Sequence, residues 1–280
     1  MTGKRSGVVA AWAAVIAGVG VPLSVGLGRP LLMSLSAGEG VRFLLWGLVG
    51  AAPWLVGAWL VLRRPRLGTV VLVTSAVLAA PTVVMSLVHT FTGAMGWFAW
   101  WVPVQLLIWA AMFTAGIAAW VARPRGGWRA DGEVPAWLLA PIVLASSPVL
   151  LPQVAIVGLD GQPVGGWFAT HQTMTAIGGV TEALGILLPF AVIAGGVIVL
   201  FRLRRGAAGA ILLTAVGPDL INLVVTIVEA VGQAELQVMP GGVAALVGSA
   251  ILVAVGTLWL VRDDAVTAPA GSPQSPLPVG

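Results

Sequence analysis

Apolar runs of about 20 residues, the length needed to cross the hydrocarbon core of a bilayer, recur along nearly the whole chain. They fall at approximately 8–28, 42–62, 67–89, 97–122, 136–158, 174–201, 207–231 and 241–261, with shorter connecting segments between them. Backbone groups in lipid must hydrogen-bond to one another, which leaves only helices or closed barrels. Barrel strands would alternate apolar and polar residues over about 10-residue segments, and these runs do not. The expected fold is all-α: a polytopic transmembrane helix bundle of about eight spans. Pro141, Pro148 and Pro152 interrupt the fifth run, so a re-entrant segment there, with six or seven crossings, is the alternative.

Composition narrows the function classes. Only 9% of the 280 residues are charged and 59% are hydrophobic, whereas soluble domains carry about 25% charged residues. With no cysteine, disulfides, thiol nucleophiles, cysteine-ligated zinc and iron–sulfur clusters are excluded. The net charge of +4 does not point to nucleic acid, because the arginines lie in short clusters at run ends and form no phosphate-tracking stripe. HExxH, P-loop and nucleophile-elbow motifs are all missing, so the expectation is a protein that is not an enzyme and holds no cofactor. Lys4 and Arg5 precede the first run as in a signal peptide. No small-residue cleavage site follows, which makes that run a retained signal anchor.

The charges also orient the spans. With a cytoplasmic N-terminus, the inner turns hold Lys4, Arg5, Arg63, Arg64, Arg66, Arg123, Arg125, Arg129, Arg202, Arg204, Arg205 and Arg262, which is 12 of the 14 basic residues. Only Arg29 and Arg42 fall outside, as the positive-inside rule requires. Trp12, Trp59, Trp120, Trp128, Trp137 and Trp259 map to the inner interface, and Trp46, Trp97, Trp100, Trp101 and Trp167 to the outer one. Indole prefers that depth because it joins an apolar body to one N–H donor. Trp54 and Trp109 map to mid-depth. The expected location is the cell membrane, multi-pass, with both termini cytoplasmic and residues 263–280, rich in Pro, Ala and Ser, forming a disordered cytoplasmic tail.

Inner ends of the even runs read alike: WLVLRRPR, AWVARPR, IVLFRLRR and LWLVRDD. Their arginines at 63, 123, 202 and 262 lie 60, 79 and 60 residues apart. An offset of 139–140 residues therefore superposes the two halves. At 140, Thr74 meets Thr214, Thr82 meets Asn222, Ser86 meets Thr226 and His89 meets Glu229. Four spans return the chain to its starting side, so the expected duplication is a four-plus-four parallel repeat.

Ionisable residues are costly in lipid and face a bundle interior or cavity when present. In the seventh run, Asp219, Asn222, Thr226, Glu229 and Gln233 fall within an arc of about 80° at 100° per residue. Pro218 cannot donate a hydrogen bond, which strips the Thr214 carbonyl of its partner and favours a kink beside the carboxylate. The sixth run repeats His171, Thr175, Gly178, Glu182 and Gly185 at spacings of four and three, and the third adds Thr82, Ser86 and His89. These three helices are expected to line one polar core opening outward, with Asp219, Asn222, Thr226, Glu229 and Glu182 as the candidate ligand, ion or proton site. The competing reading makes the hydroxyls and amides interhelical glue. His89 and His171, both on the outer side, are candidates for pH sensing or weak metal binding.

The segment WLVLRRPRLGTVVLVTSAVLA resembles the junction of the second and third spans in the membrane-embedded sensor region of actinobacterial two-component histidine kinases. Arg63, Arg64, Pro65, Arg66 and Gly68 match the turn that leads there into a glycine-started apolar helix, and LFRLRRGAAGAILLTAVG is similar to a late inner loop. The resemblance covers about a third of the chain. It implies a sensor-like membrane module without the kinase domain that needs a membrane or cytoplasmic protein partner to signal. A sensor would be expected to bind that partner through the basic turns at Arg63, Arg64 and Arg66 or at Arg202, Arg204 and Arg205. No functional residue carries over, because the matching positions are topological.

Three function classes remain. The first is a non-enzymatic sensory or interaction module with an outward-facing polar core. The second is a small proton- or cation-coupled secondary transporter with Asp219 as the coupling carboxylate, and the third a structural subunit of a membrane complex. The partners expected are the lipid bilayer and a protein, with the small ligand or ion unknown and nucleic acid excluded.

Overall fold

The computed structural model describes residues 2–24, 37–91, 102–123, 136–138, 140–142, 205–232 and 240–267. Among them every element is helical and no strand occurs. The long helices are α1 (Thr2–Leu23), α2 (Ala37–Arg63), α3 (Pro65–Phe91), α4 (Val102–Ala122), α5 (Arg205–Gly232) and α6 (Pro240–Thr267), with a 3₁₀ turn at Ala136–Leu138. They coincide with the first four and last two expected spans. The sixth span, and all but a few residues of the fifth, lie outside the described residues.

Three described helices are long and apolar enough to cross a bilayer: Arg5–Leu23, Leu44–Arg63 and Val102–Ala122, of 19, 20 and 21 residues. Shorter apolar stretches run over Pro65–Ala80 and Leu246–Arg262. Side-chain partitioning fits a lipid solvent. On α1 the wholly buried positions are Ala10, Ala14 and Ala17, while Val8, Trp12, Ile16, Val19 and Leu23 are exposed. On α2, Ala51, Trp54, Ala58 and Val61 turn inward, and Leu48, Leu55, Trp59 and Leu62 are exposed. Small residues inside and large apolar ones outside would be ruinous in water, where such patches drive association. In lipid there is no hydrophobic penalty outside, and small residues let backbones approach for van der Waals packing. The chain is a membrane-associated helical protein.

The first four helices close on one another. α1 packs against α2 and α4, and α3 completes the ring between α2 and α4. Trp54 and Trp109, placed at mid-depth by sequence, are 4% and 8% exposed and belong to this shared core. The contacts are antiparallel. Side chains seat in glycine notches where a Cβ on Gly18 would meet Leu55, one on Gly20 would meet Ile108, and one on Gly116 would meet Ala76.

The α2–α3 turn is the tightest. Arg64 alone links the helices, its N–H donating to Leu60 O (2.6 Å) and its carbonyl accepting from Gly68 N–H (3.0 Å). Pro65 opens α3 at the first helical position, where its missing N–H has no partner to lose. Gly68 then lies against the α2 backbone, and a Cβ there would sit 2.1 Å from Val61 N.

A second core joins α3 to α5 and α6. Val70 and Val71 meet Ala207, Ala208, Ile211, Leu212 and Leu252, and Leu138 and Ile142 are buried in the same cluster. α6 continues through Asp263 and Asp264 to Thr267, beyond the expected span boundary at 261 and into the segment read as tail. At the other end α1 starts at Thr2, so Lys4 and Arg5 are part of the helix rather than flanking it. Both differences have one cause. A helix leaving lipid keeps its internal hydrogen bonds in water, so hydropathy marks the membrane edge and not the helix end.

Candidate functional site

α5 carries the polar stripe. Its first half is Gly- and Ala-rich (RGAAGAILLTAV), and the small side chains let it settle deeply between α3 and α6. From Gly206 to Val216 every described side chain is buried except Leu213. The pattern changes at Gly217. None of Gly217, Pro218, Leu220, Ile221, Val224, Val225 and Val228 is buried, and among the described residues no heavy atom lies within 4 Å of a Cβ built on Gly217. Asp219 follows directly, about 21 Å along the axis from Arg205 at 1.5 Å per residue.

Pro218 lies inside a helix that continues from Arg205 to Gly232. Its ring nitrogen has no proton, so the Thr214 carbonyl four residues earlier loses its helical donor. The Thr214 side chain does not replace that donor. Its hydroxyl donates to Ala210 O at 2.7 Å, a back-bond of the kind that loosens helices locally. Thr74, the position an offset of 140 residues pairs with Thr214, is equally buried at 8% exposure.

Asp219, Asn222, Thr226 and Glu229 all lie on the helical backbone of α5, and Thr82, Ser86 and His89 on that of α3. Their side chains are outside the described residues, as are Glu182, His171, Arg202 and Arg204 entirely. α3 and α5 pack side by side, which brings together two of the three helices expected to line a polar core. Of the basic turn residues, Arg63, Arg64 and Arg205 are exposed and Arg66 is half-buried. Among the described residues no three His, Asp or Glu side chains converge as metal ligands would.

Two polar contacts had no counterpart in the sequence reading. The Thr69 hydroxyl donates to Pro65 O (2.8 Å) within α3 and to Ala119 O (3.2 Å) on α4. The Gln105 amide donates to the Ser24 hydroxyl, joining the start of α4 to the end of α1. A lone Gln in an apolar run, with a Ser at the far end of an antiparallel neighbour, was the available signal for the second. The first had none, because its acceptor is a backbone carbonyl.

No protein-family model, curated protein or solved structure matches this chain.

Proposed function

We propose that the chain is an eight-span plasma-membrane protein built of two parallel four-span halves, serving as a non-enzymatic sensory or interaction module. Its polar core opens outward around Asp219, Asn222, Thr226, Glu229 and Glu182. A small ligand or ion held there would bias the helix at Pro218 and so move the inner arginine turns. The observation that supports the reading is the change in α5 at Gly217, where residues packed tightly against the described neighbours give way to residues that are not buried, beside Pro218 and immediately before the carboxylate.

The two-half architecture is supported by contacts that recur at one offset. Adding 140 carries Thr69 and Ala119, joined by a hydrogen bond, onto Gly209 and Trp259, where a Cβ on the glycine would sit 3.3 Å from the Trp259 Cβ. The same offset carries Leu72 and Gly116 onto Leu212 and Gly256, and a Cβ on each glycine would approach its leucine, at 3.6 Å from the Leu72 carbonyl oxygen and 3.2 Å from the Leu212 Cβ. α3 and α5 are the matched helices, and they meet each other directly, as self-equivalent elements do around a two-fold axis along the membrane normal. That same seam favours a second reading, a proton- or cation-coupled carrier whose halves rock along α3 and α5 with Asp219 as the coupling group.

The test uses the absence of cysteine. Asn222→Cys and Thr226→Cys are made singly and intact cells are treated with a membrane-impermeant thiol reagent, with Gly161→Cys in the expected outer loop as control. Labelling at both positions supports a water-filled path from outside. Protection at both, with the control labelled, would reduce the stripe to dry packing and overturn the reading.

A further inference from the structure

The antiparallel contacts bring the arginines at five described helix ends to one end of the bundle, while Arg42, near the start of α2, lies at the other. Arg5 lies in the first turn of α1, Arg63 ends α2, Arg123 follows α4, Arg205 starts α5 and Arg262 lies near the end of α6, and all five are exposed. Three of them have a tryptophan one turn deeper in the chain: Trp59 before Arg63, Trp120 before Arg123 and Trp259 before Arg262. Trp59 and Trp120 are 59% and 53% exposed, on the outer surface of the bundle and not in its core.

The Trp120–Arg123 unit is fully formed. The guanidinium carbon stands 3.8 Å from the Trp120 ring centroid, and Nη1 donates to the Trp120 carbonyl at 2.9 Å. The Arg123 backbone N–H reaches the same carbonyl at 3.3 Å. These contacts cap the C-terminus of α4 with a cation, where the helix dipole favours one. They also hold the guanidinium plane in place at the cost of one of its five N–H donors, and the donors left over match the bidentate geometry of a phosphate. An interfacial indole settles at headgroup level, and the guanidinium stacked on the Trp120 ring is held at that same level.

We propose that this end of the bundle binds the phosphodiester headgroups of anionic phospholipids, with Trp120 and Arg123 forming the principal site and Trp59 and Arg63 a second. The inference rests on the membrane reading. Charge complementarity selects the anionic lipid over a zwitterionic one, and the exposed apolar neighbours Val121 and Leu62 supply the surface for its acyl chains. The Trp259–Arg262 unit is the weakest of the three, because Asp263 and Asp264 follow it directly.

The experiment uses the full chain carrying a single Val121→Cys, labelled with a small fluorophore. It is reconstituted in phosphatidylcholine vesicles in which either phosphatidylglycerol or phosphatidylcholine is the brominated quencher. Attraction of one arginine to an anionic surface predicts an apparent preference for phosphatidylglycerol of about fivefold. Leu107→Cys, exposed toward the opposite end of α4, should show a ratio near one. Adding Arg123→Gln to the Val121→Cys chain should bring its ratio to that of Leu107, with quenching by brominated phosphatidylcholine kept and raised as that lipid replaces phosphatidylglycerol, which separates loss of the site from loss of the fold. A ratio at Val121 no greater than at Leu107 would overturn the lipid site. Absence of quenching by either lipid at both positions would overturn the membrane reading, and the lipid site with it.

Discussion

Gly209 on α5 and Gly256 on α6 meet backbone to backbone: a Cβ on Gly209 would lie 2.5 Å from the Gly256 carbonyl oxygen, and one on Gly256 would lie 3.0 Å from that of Gly209. Neither oxygen can move aside as a flexible side chain could. Gly209→Val is therefore expected to force the pair apart and to cost about 1–3 kcal/mol, the range for overpacked sites. The check is thermal unfolding in detergent, with a lowered Tm expected. An unchanged Tm would mean that α5 and α6 do not approach at this point.

Gly68 and Gly7 form a matched contrast. Both are helical, but a Cβ on Gly68 would collide with the Val61 backbone, whereas one on Gly7 meets no atom of the described residues within 4 Å. Gly68→Ala is expected to open the α2–α3 hairpin and destabilise the protein by about 1–3 kcal/mol. Gly7→Ala is expected to be neutral or stabilising by up to about 1 kcal/mol, from helix propensity alone. Opposite shifts in the same unfolding assay are the predicted result, and equal shifts would remove the steric argument.

Thr69 offers a hydrogen bond that can be deleted without changing shape. Thr69→Val keeps the volume and removes the hydroxyl that reaches Ala119 O. Interhelical hydrogen bonds in membranes average about 0.6 kcal/mol, so a small loss is expected, well below that at Gly68. A loss as large as at Gly68 would show that the hydroxyl, rather than the glycine notches, holds α3 to α4.

These contacts mark what sequence could and could not convey. The apolar runs overlap the helices α2, α3 and α5 to within a few residues, because a run of apolar residues of that length is stable in lipid only as a helix. Charge placed Arg63, Arg123, Arg205 and Arg262 on one side, and the described contacts put them at one end of the bundle. It could not foresee which apolar residues turn inward. Ala14 and Ile16 are both apolar, yet one is wholly buried and the other exposed. Size rather than polarity sorts residues when the outside is itself apolar. The polar stripe on α5 was legible as a helix face, since Asp219 through Glu229 repeat at helical spacing. Its surroundings were not, because the loss of burial after Val216 depends on which described helices α5 packs against along its length, which is a property of packing.

Asp219→Asn separates the functional readings, since asparagine keeps the shape and removes the charge. An ionised carboxylate at this depth draws water toward it, and a neutral amide draws less. For a sensory or interaction module, neither wild type nor variant should give net proton or cation flux above empty proteoliposomes. Insertion should be normal, and thiol labelling at Thr226→Cys should slow severalfold in the Asp219→Asn background. Wild-type flux that vanishes in the variant would replace that reading with the carrier. Labelling unaffected by the substitution, together with a raised Tm, would make Asp219 a packing residue. The charge would then be a burden on the fold, and its removal a gain in stability with no loss of function.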